Sequence, residues 1–258
     1  YRRRGLAVEV RRAAKQGIDD GLADFLYGHP NERSAGVHAK AGFHPVGRMM
    51  RYAKVLRTEP YLRDRLKSGL AASILAKVAD PIVRVLQPGK HRRLTTSITV
   101  TSPARFDDRF DALFADAAAS LRVVGVRDSR YLNWRYSENP LYESHLLTSS
   151  DGGRLRGYLV FTIQDGVGQI KDVFPPGDEA AVRDLIQAAI GEGRRRGLAS
   201  LSFTALEGNP LLPVFSDCAF RRRTGISQMF GYARPDAPWR AAVLDKAAWF
   251  LTVGDRDV

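Results

Sequence analysis

The sequence predicts an α/β (α+β) chain, a mixed central sheet flanked by helices. Short apolar or alternating blocks bounded by turns read as strands at 144–148, 154–163, 169–174 and 199–205. Longer stretches with helical spacing fall between them, at 61–86, 107–121 and 178–193. The order helix, strand, short helix, then small residue plus Phe occurs twice: Gly21-Leu22-Ala23 through Ala41-Gly42-Phe43, and Gly197-Leu198-Ala199 through Cys218-Ala219-Phe220. One repeated pair points to a duplicated unit rather than a solenoid.

At the front, a glycine-bearing loop opens into a helix that meets no Pro or Gly until Gly17. A strand over 23–27, a short helix over 34–41 stopped by Gly42, and one or two strands over 45–56 complete residues 1–57. This is half of an α/β domain with no upstream strands and no initiator Met, so the chain is expected to be a fragment or trimmed. Residues 58–122 read as a helical connector, with a Pro88-Gly89 break and a Thr-rich strand over 97–101. Residues 123–258 form a second domain. In it, turns at Asp151-Gly152-Gly153 and Asp165-Gly166 join an antiparallel meander. A helix, a strand, a Gly208-Asn209-Pro210 turn, a short helix over 215–218 and closing strands over 225–232 follow.

Composition narrows the function classes. With 258 residues, 44% hydrophobic and 26% charged, the chain can bury a substantial core and disorder is disfavoured. Its single cysteine, Cys218, excludes an intramolecular disulfide and a thiolate metal cage, in keeping with a reducing cytoplasm. The longest apolar stretch, 68–86, carries Lys77, Asp80 and Arg84 and reads as amphipathic helix, not membrane span. Five scattered histidines show no zinc spacing, so no metal is expected, and the lack of a Gly-x-Ser-x-Gly elbow argues against a serine hydrolase. The net charge of +12 is concentrated at the front: +7 over 1–57, +4 over 58–126 and +1 beyond. That field suits a polyanionic ligand: nucleic acid, an anionic surface or a phosphorylated cofactor.

The pattern Arg2-x-x-Gly5-x-Ala7 at a loop entering a helix is a physically sensible pyrophosphate cradle. First-turn N–H groups point outward together, Gly5 admits close approach, Ala7 avoids a clash, and the helix dipole and arginines add positive potential. Arg194-Arg195-Arg196-Gly197-Leu198-Ala199 repeats the pattern, but it ends a helix, so Gly197 is a C-cap there. In the second half, Pro175-Pro176-Gly177-Asp178-Glu179 stands at the cradle position, where prolines remove donors and carboxylates repel phosphate.

The loop Arg2-Arg3-Arg4-Gly5-Leu6-Ala7, the strand ending near Tyr27, Asn31 with Ser34, and His38-Ala39-Lys40-Ala41-Gly42-Phe43 resemble the cofactor-binding half of the GNAT N-acetyltransferases. Tyr131-Leu132-Asn133-Trp134-Arg135-Tyr136, Gly157-Tyr158-Leu159-Val160 and 249–255 are similar to the C-terminal half of tandem bacterial GNAT proteins found beside polysaccharide genes. The resemblance implies tandem acyl-CoA N-acyltransferase folds, the first partial and the second degenerate. It implies a cytoplasmic enzyme in which an amine attacks acetyl-CoA directly, without an acyl-enzyme. By that resemblance Arg2, Arg3, Arg4, Gly5, Leu6 and Ala7 hold the pyrophosphate, and Asn31 with Ser34 lies along the pantetheine arm. His38 takes the place of the tyrosine that protonates the departing thiolate; water could serve instead. The general base is expected on a strand upstream of residue 1, so the segment alone is not expected to turn over. By the same resemblance the acceptor is expected to be a small-molecule amine, an amino sugar or nucleotide-linked amino sugar being the first class to try.

Two other readings remain open from sequence: a tRNA-dependent aminoacyl or peptidoglycan-bridge transferase, and a non-catalytic module that binds nucleic acid or a protein. A basic stripe away from the cradle favours the latter. Trp134 and Tyr136 read as core aromatics or as the lining of a groove, and Asp255 and Asp257 as solvated carboxylates near a chain end.

Overall fold

The computed structural model describes residues 5–66, 69–86, 94–224 and 227–256. The first half contains α1 (Leu6–Asp19), β1 (Phe25–Gly28), α2 (Glu32–Lys40) and β2 (His44–Val55). Then come α3 (Glu59–Leu66), α4 (Gly69–Leu86), β3 (Ser97–Thr101), α5 (Asp108–Ala118), β4 (Val123–Val124) and α6 (Ser129–Leu132), which runs into a π-helical turn (Asn133–Ser137). The meander β5 (Ser144–Asp151), β6 (Arg154–Gln164) and β7 (Val167–Phe174) leads to α7 (Glu179–Arg195), β8 (Ser200–Leu206) and α8 (Leu212–Asp217). The chain closes with β9 (Arg221–Arg222), β10 (Ser227–Ala233), α9 (Arg240–Leu244) and β11 (Trp249–Phe250), and with 3-10 turns at Lys246–Ala248 and Val253–Asp255. Residues 45–56 thus fall in one long strand rather than two. The helix expected over 61–86 is split into α3 and α4. Pro88, Gly89 and Gly225 lie outside the described residues.

One mixed sheet takes in both halves, in the order β1-β10-β2-β8-β7-β6-β5-β3, with β9 beside β2. β3, expected inside a connector, is the far edge strand, antiparallel to β5 (Ser97↔Ser150 to Thr101↔Leu146). The segments α1–β1–α2–β2 and α7–β8–α8–β10 share one element order apart from the two-residue β9 inserted before β10, and each short helix stops in the same way. Gly42 (φ 87°) and Ala219 (φ 62°) both adopt the left-handed conformation, and the phenylalanine that follows, Phe43 or Phe220, is buried. The last strands of these segments are exchanged. β2 pairs with β8 (Met49↔Leu206 to Val55↔Ser200), and β10 pairs with β1 (Phe25↔Ala233 to Gly28↔Phe230).

Strand alternation divides the packing around β1. α1 and α2 close over Ile18, Ala41, Phe43, Phe230 and Tyr232, with Leu26 against them. The other face buries Val46, Met49, Met229, Trp249 and Leu251, with Phe25 against these. The largest core lies where α7 packs on the meander and β8, around Leu159, Val173, Leu185 and Phe203. No helix among the described residues is long and apolar enough to cross a membrane.

Candidate functional site

The two helices that follow the two versions of the cradle start differently. Gly5 (φ 74°) is the N-cap of α1 and supplies no side-chain cap; the N–H groups of Val8 and Glu9 donate to its carbonyl at 2.8 and 3.2 Å. Among the described residues a Cβ at Gly5 would meet nothing within 4 Å, and Leu6 and Ala7 are exposed, so none of these residues covers the first turn. Arg2, Arg3 and Arg4 lie outside the described residues. α7, by contrast, is capped by Asp178, whose Oδ1 accepts from Ala181 N at 3.1 Å while Oδ2 receives Arg156 Nε at 3.0 Å. An internal carboxylate there occupies the place an anion would take.

The edge strand β1 leads from the cradle region to α2. Asn31 is the N-cap of α2: its Oδ1 accepts from Ser34 N at 3.0 Å and lies 2.8 Å from Ser34 Oγ, so the two residues are brought together at the helix start. His38, one turn on, is buried between the rings of Phe43 and Phe230, at 5.5 and 5.6 Å between centroids. Its Nδ1 stands 3.1 Å from Ser34 O, which can only accept, so Nδ1 carries the hydrogen of the neutral ring and Nε2 faces Gly28 of β1. Burial lowers its pKa, with the Ser34 hydrogen bond opposing and Arg11 adding to the fall.

On the opposite face of β1 the structure places residues that the motif reading passed over. Tyr27 OH donates to Asp255 O at 2.9 Å, and its ring lies 5.2 Å from Trp249 and 5.9 Å from His29. Both ring nitrogens of His29 are buried and, among the described residues, lack a hydrogen-bond partner. Burial, and secondarily the nearby Arg256 guanidinium, pushes His29 down to about 4. Its only sequence signal was position, a histidine just past a strand end and just before Pro30.

The second half is closed by the tail. β7 and β8 pair in parallel from Val167↔Ser200 to Ile170↔Phe203 and then part. Into the gap runs the chain after β11: Thr252 bridges Ala205, and Leu206 N donates to Leu251 O at 3.2 Å. The side chain of Asp255, expected to be solvated, is only 8% exposed and pairs with Arg127, itself 1% exposed. Arg127 Nη2 donates to Asp255 Oδ2 at 2.7 Å and Nε to Asp172 Oδ2 at 3.0 Å. Tyr158 OH and Thr252 Oγ1 complete Asp172, at 2.8 and 3.1 Å. Gly254 fits only as glycine, since a Cβ would stand 2.2 Å from Tyr136 Oη and 2.9 Å from Lys171 O. Asp257 lies outside the described residues. Tyr136 is buried beneath this plug, whereas Trp134 is 60% exposed beside a small cleft that includes Arg135 and Asn139. Cys218 is fully buried and its thiol is pushed up by burial, which makes it inert.

This arrangement of strands is shared with solved proteins. A GCN5-related N-acetyltransferase from Anabaena variabilis superposes with TM-score 0.59 over 89% of this chain, at 12% identity. The fold is that of the GNAT N-acetyltransferases. A GCN5-related N-acetyltransferase from Kribbella flavida matches 94% of the chain with TM-score 0.55 and 15% identity. A tandem GNAT protein from the clavulanic acid biosynthesis pathway matches 90% of this chain and 71% of its own, with TM-score 0.51 and 14% identity. The chain spans about half the length of the first two, 51% in each case. No protein-family model and no curated protein matches the sequence.

Proposed function

We propose that this chain is the acetyl-CoA-binding part of a cytoplasmic N-acetyltransferase that acetylates a primary amine by direct attack in a ternary complex. The observation that carries the reading is the contrast between the two helix starts on a GNAT fold. α1 is glycine-capped and uncovered among the described residues, with a basic segment before it in sequence, whereas α7 has its own carboxylate in the anion position. In this reading the backbone of Arg2 to Ala7 holds the pyrophosphate, and Asn31 and Ser34 meet the pantetheine arm from the start of α2. The second half, its strand gap filled by 251–255, braces the first through β2 and β10.

His38 enters the proposal as proton donor to the thiolate only in its imidazolium form. The neutral ring commits its one N–H to Ser34 O, and Nε2 must acquire a proton before it can give one. Water is the competing donor, and His38→Gln separates the two: loss of transfer with unchanged acetyl-CoA binding assigns the step to His38. The reaction itself is tested by release of free CoA from acetyl-CoA by the full-length protein with a panel of amino sugars. Release that needs the amine, with no exchange of labelled CoA in its absence, supports direct attack. CoA exchange without any amine contradicts it.

A further inference from the structure

A cleft of about 380 Å³ opens between the start of α2 and the β2–β10 pair, lined by Pro30, Glu32, Ala35, Arg48, Ser227 and Gln228 among others. It has the size of a small-molecule site. Its two sides differ in charge. On the sheet side Arg48 is exposed and makes no ion pair among the described residues. Arg222 lies near it on β9, outside the lining itself: the register sets Arg222 opposite Tyr52, and its Nη2 lies 4.0 Å from Met50 Sδ, two residues along from Arg48. Arg222 is likewise exposed and makes no ion pair among the described residues. On the helix side stands one carboxylate, Glu32, also exposed and without an ion pair. Ser227 Oγ, in the cleft lining, is buried without a hydrogen-bond partner among the described residues.

A guanidinium and a carboxylate without ion pairs in one cleft, with an idle hydroxyl in its lining and a second guanidinium nearby on β9, match a ligand of opposite polarity. We propose that this cleft binds a small primary amine carrying a phosphate group, with Arg48 and Arg222 on the phosphate and Glu32 on the ammonium. Guanidinium forks suit phosphate oxygens in number and geometry, and Ser227 Oγ adds a donor. The cleft begins at Pro30, next to Asn31. If the proposed acetyl transfer holds, the bound amine is therefore the acceptor; that assignment rests on the acetyltransferase reading, while the binding itself does not.

The test is titration of the full-length protein, without acetyl-CoA, with O-phosphoethanolamine, inorganic phosphate and ethanolamine. O-phosphoethanolamine is expected to bind more tightly than either half-ligand. Arg48→Ala and Arg222→Ala are each expected to weaken it by roughly 10- to 100-fold, the range for a charge-assisted hydrogen bond. Glu32→Gln should weaken O-phosphoethanolamine but leave inorganic phosphate unchanged. Equal affinity for O-phosphoethanolamine and ethanolamine, or insensitivity to both arginine variants, overturns the proposal. The phosphate could instead be the 3′-phosphate of CoA. A loss of acetyl-CoA affinity in Arg48→Ala that dephospho-acetyl-CoA does not show would assign the arginine to the cofactor and also overturn it. A wild-type protein that binds O-phosphoethanolamine but not acetyl-CoA upholds the cleft and sinks the acetyltransferase reading, so the two fail separately.

Discussion

Acidification should destabilise this protein through His29, and the size of the effect follows from its surroundings. In the unfolded chain the imidazole titrates near its ordinary value of 6.5; in the fold, burial and Arg256 hold it at about 4. Above pH 6.5 both states are neutral and His29 contributes no slope. As pH falls below 6.5 the unfolded state takes up the proton first, so stability declines until the folded state is also protonated near 4. That interval corresponds to at most about 3 kcal/mol. His38 and His145 are also lowered by burial and act in the same direction, so wild type alone does not isolate the effect. The comparison with His29→Phe does. Phenylalanine keeps a ring against Tyr27 and removes two buried nitrogens that lack partners, so at pH 7.5 the variant should be as stable as wild type or more so. Urea unfolding from pH 7.5 to 4.5 should then show a shallower fall for His29→Phe, the gap widening with acid. Parallel curves, or a variant several kcal/mol weaker at pH 7.5, would show that His29 has a partner and is not the group that titrates.

Other substitutions test the tail and the turns. Arg127→Met leaves Asp172 and Asp255 buried without their cation and should cost about 3–5 kcal/mol in chemical denaturation, far more than any exposed pair such as Arg154–Asp116. Gly254→Ala forces a methyl against Tyr136 Oη and the Lys171 carbonyl, and should lower stability by about 1–3 kcal/mol by displacing the plug. Ala219→Gly relieves a left-handed alanine and should stabilise by up to about 1 kcal/mol, whereas Gly42→Ala at the matching turn should cost about as much; thermal melts of the two should move in opposite directions.

What could be read from sequence was what local chemistry fixes. Helix and strand types followed apolar period, and Gly42-Phe43 with Ala219-Phe220 announced the repeated segment because a helix stop needs a left-handed residue there. The glycine before α1 was readable for a different reason, as the residue that lets backbone approach an anion in the loop Arg2-x-x-Gly5-x-Ala7. Long-range pairing was not. Nothing local to β2 says that it lies against β8 rather than β1, since the alternation on its faces is satisfied either way. Asp255 looked solvated because its partner, Arg127, is 128 residues away in the chain. His29 carries no motif; its isolation is a property of the packed face of β1 and shows only when Tyr27 and Arg256 are in place.

The central claim is that the open start of α1 holds the pyrophosphate of acetyl-CoA while the start of α7 does not. Calorimetric titration of the full-length protein with acetyl-CoA tests it most directly, in wild type, Gly5→Glu and Asp178→Ala. The account predicts binding by wild type, loss of it in Gly5→Glu, where a carboxylate and an unfavourable left-handed residue enter the cradle, and no change in Asp178→Ala. Binding that survives Gly5→Glu, or that Asp178→Ala alters, would contradict it.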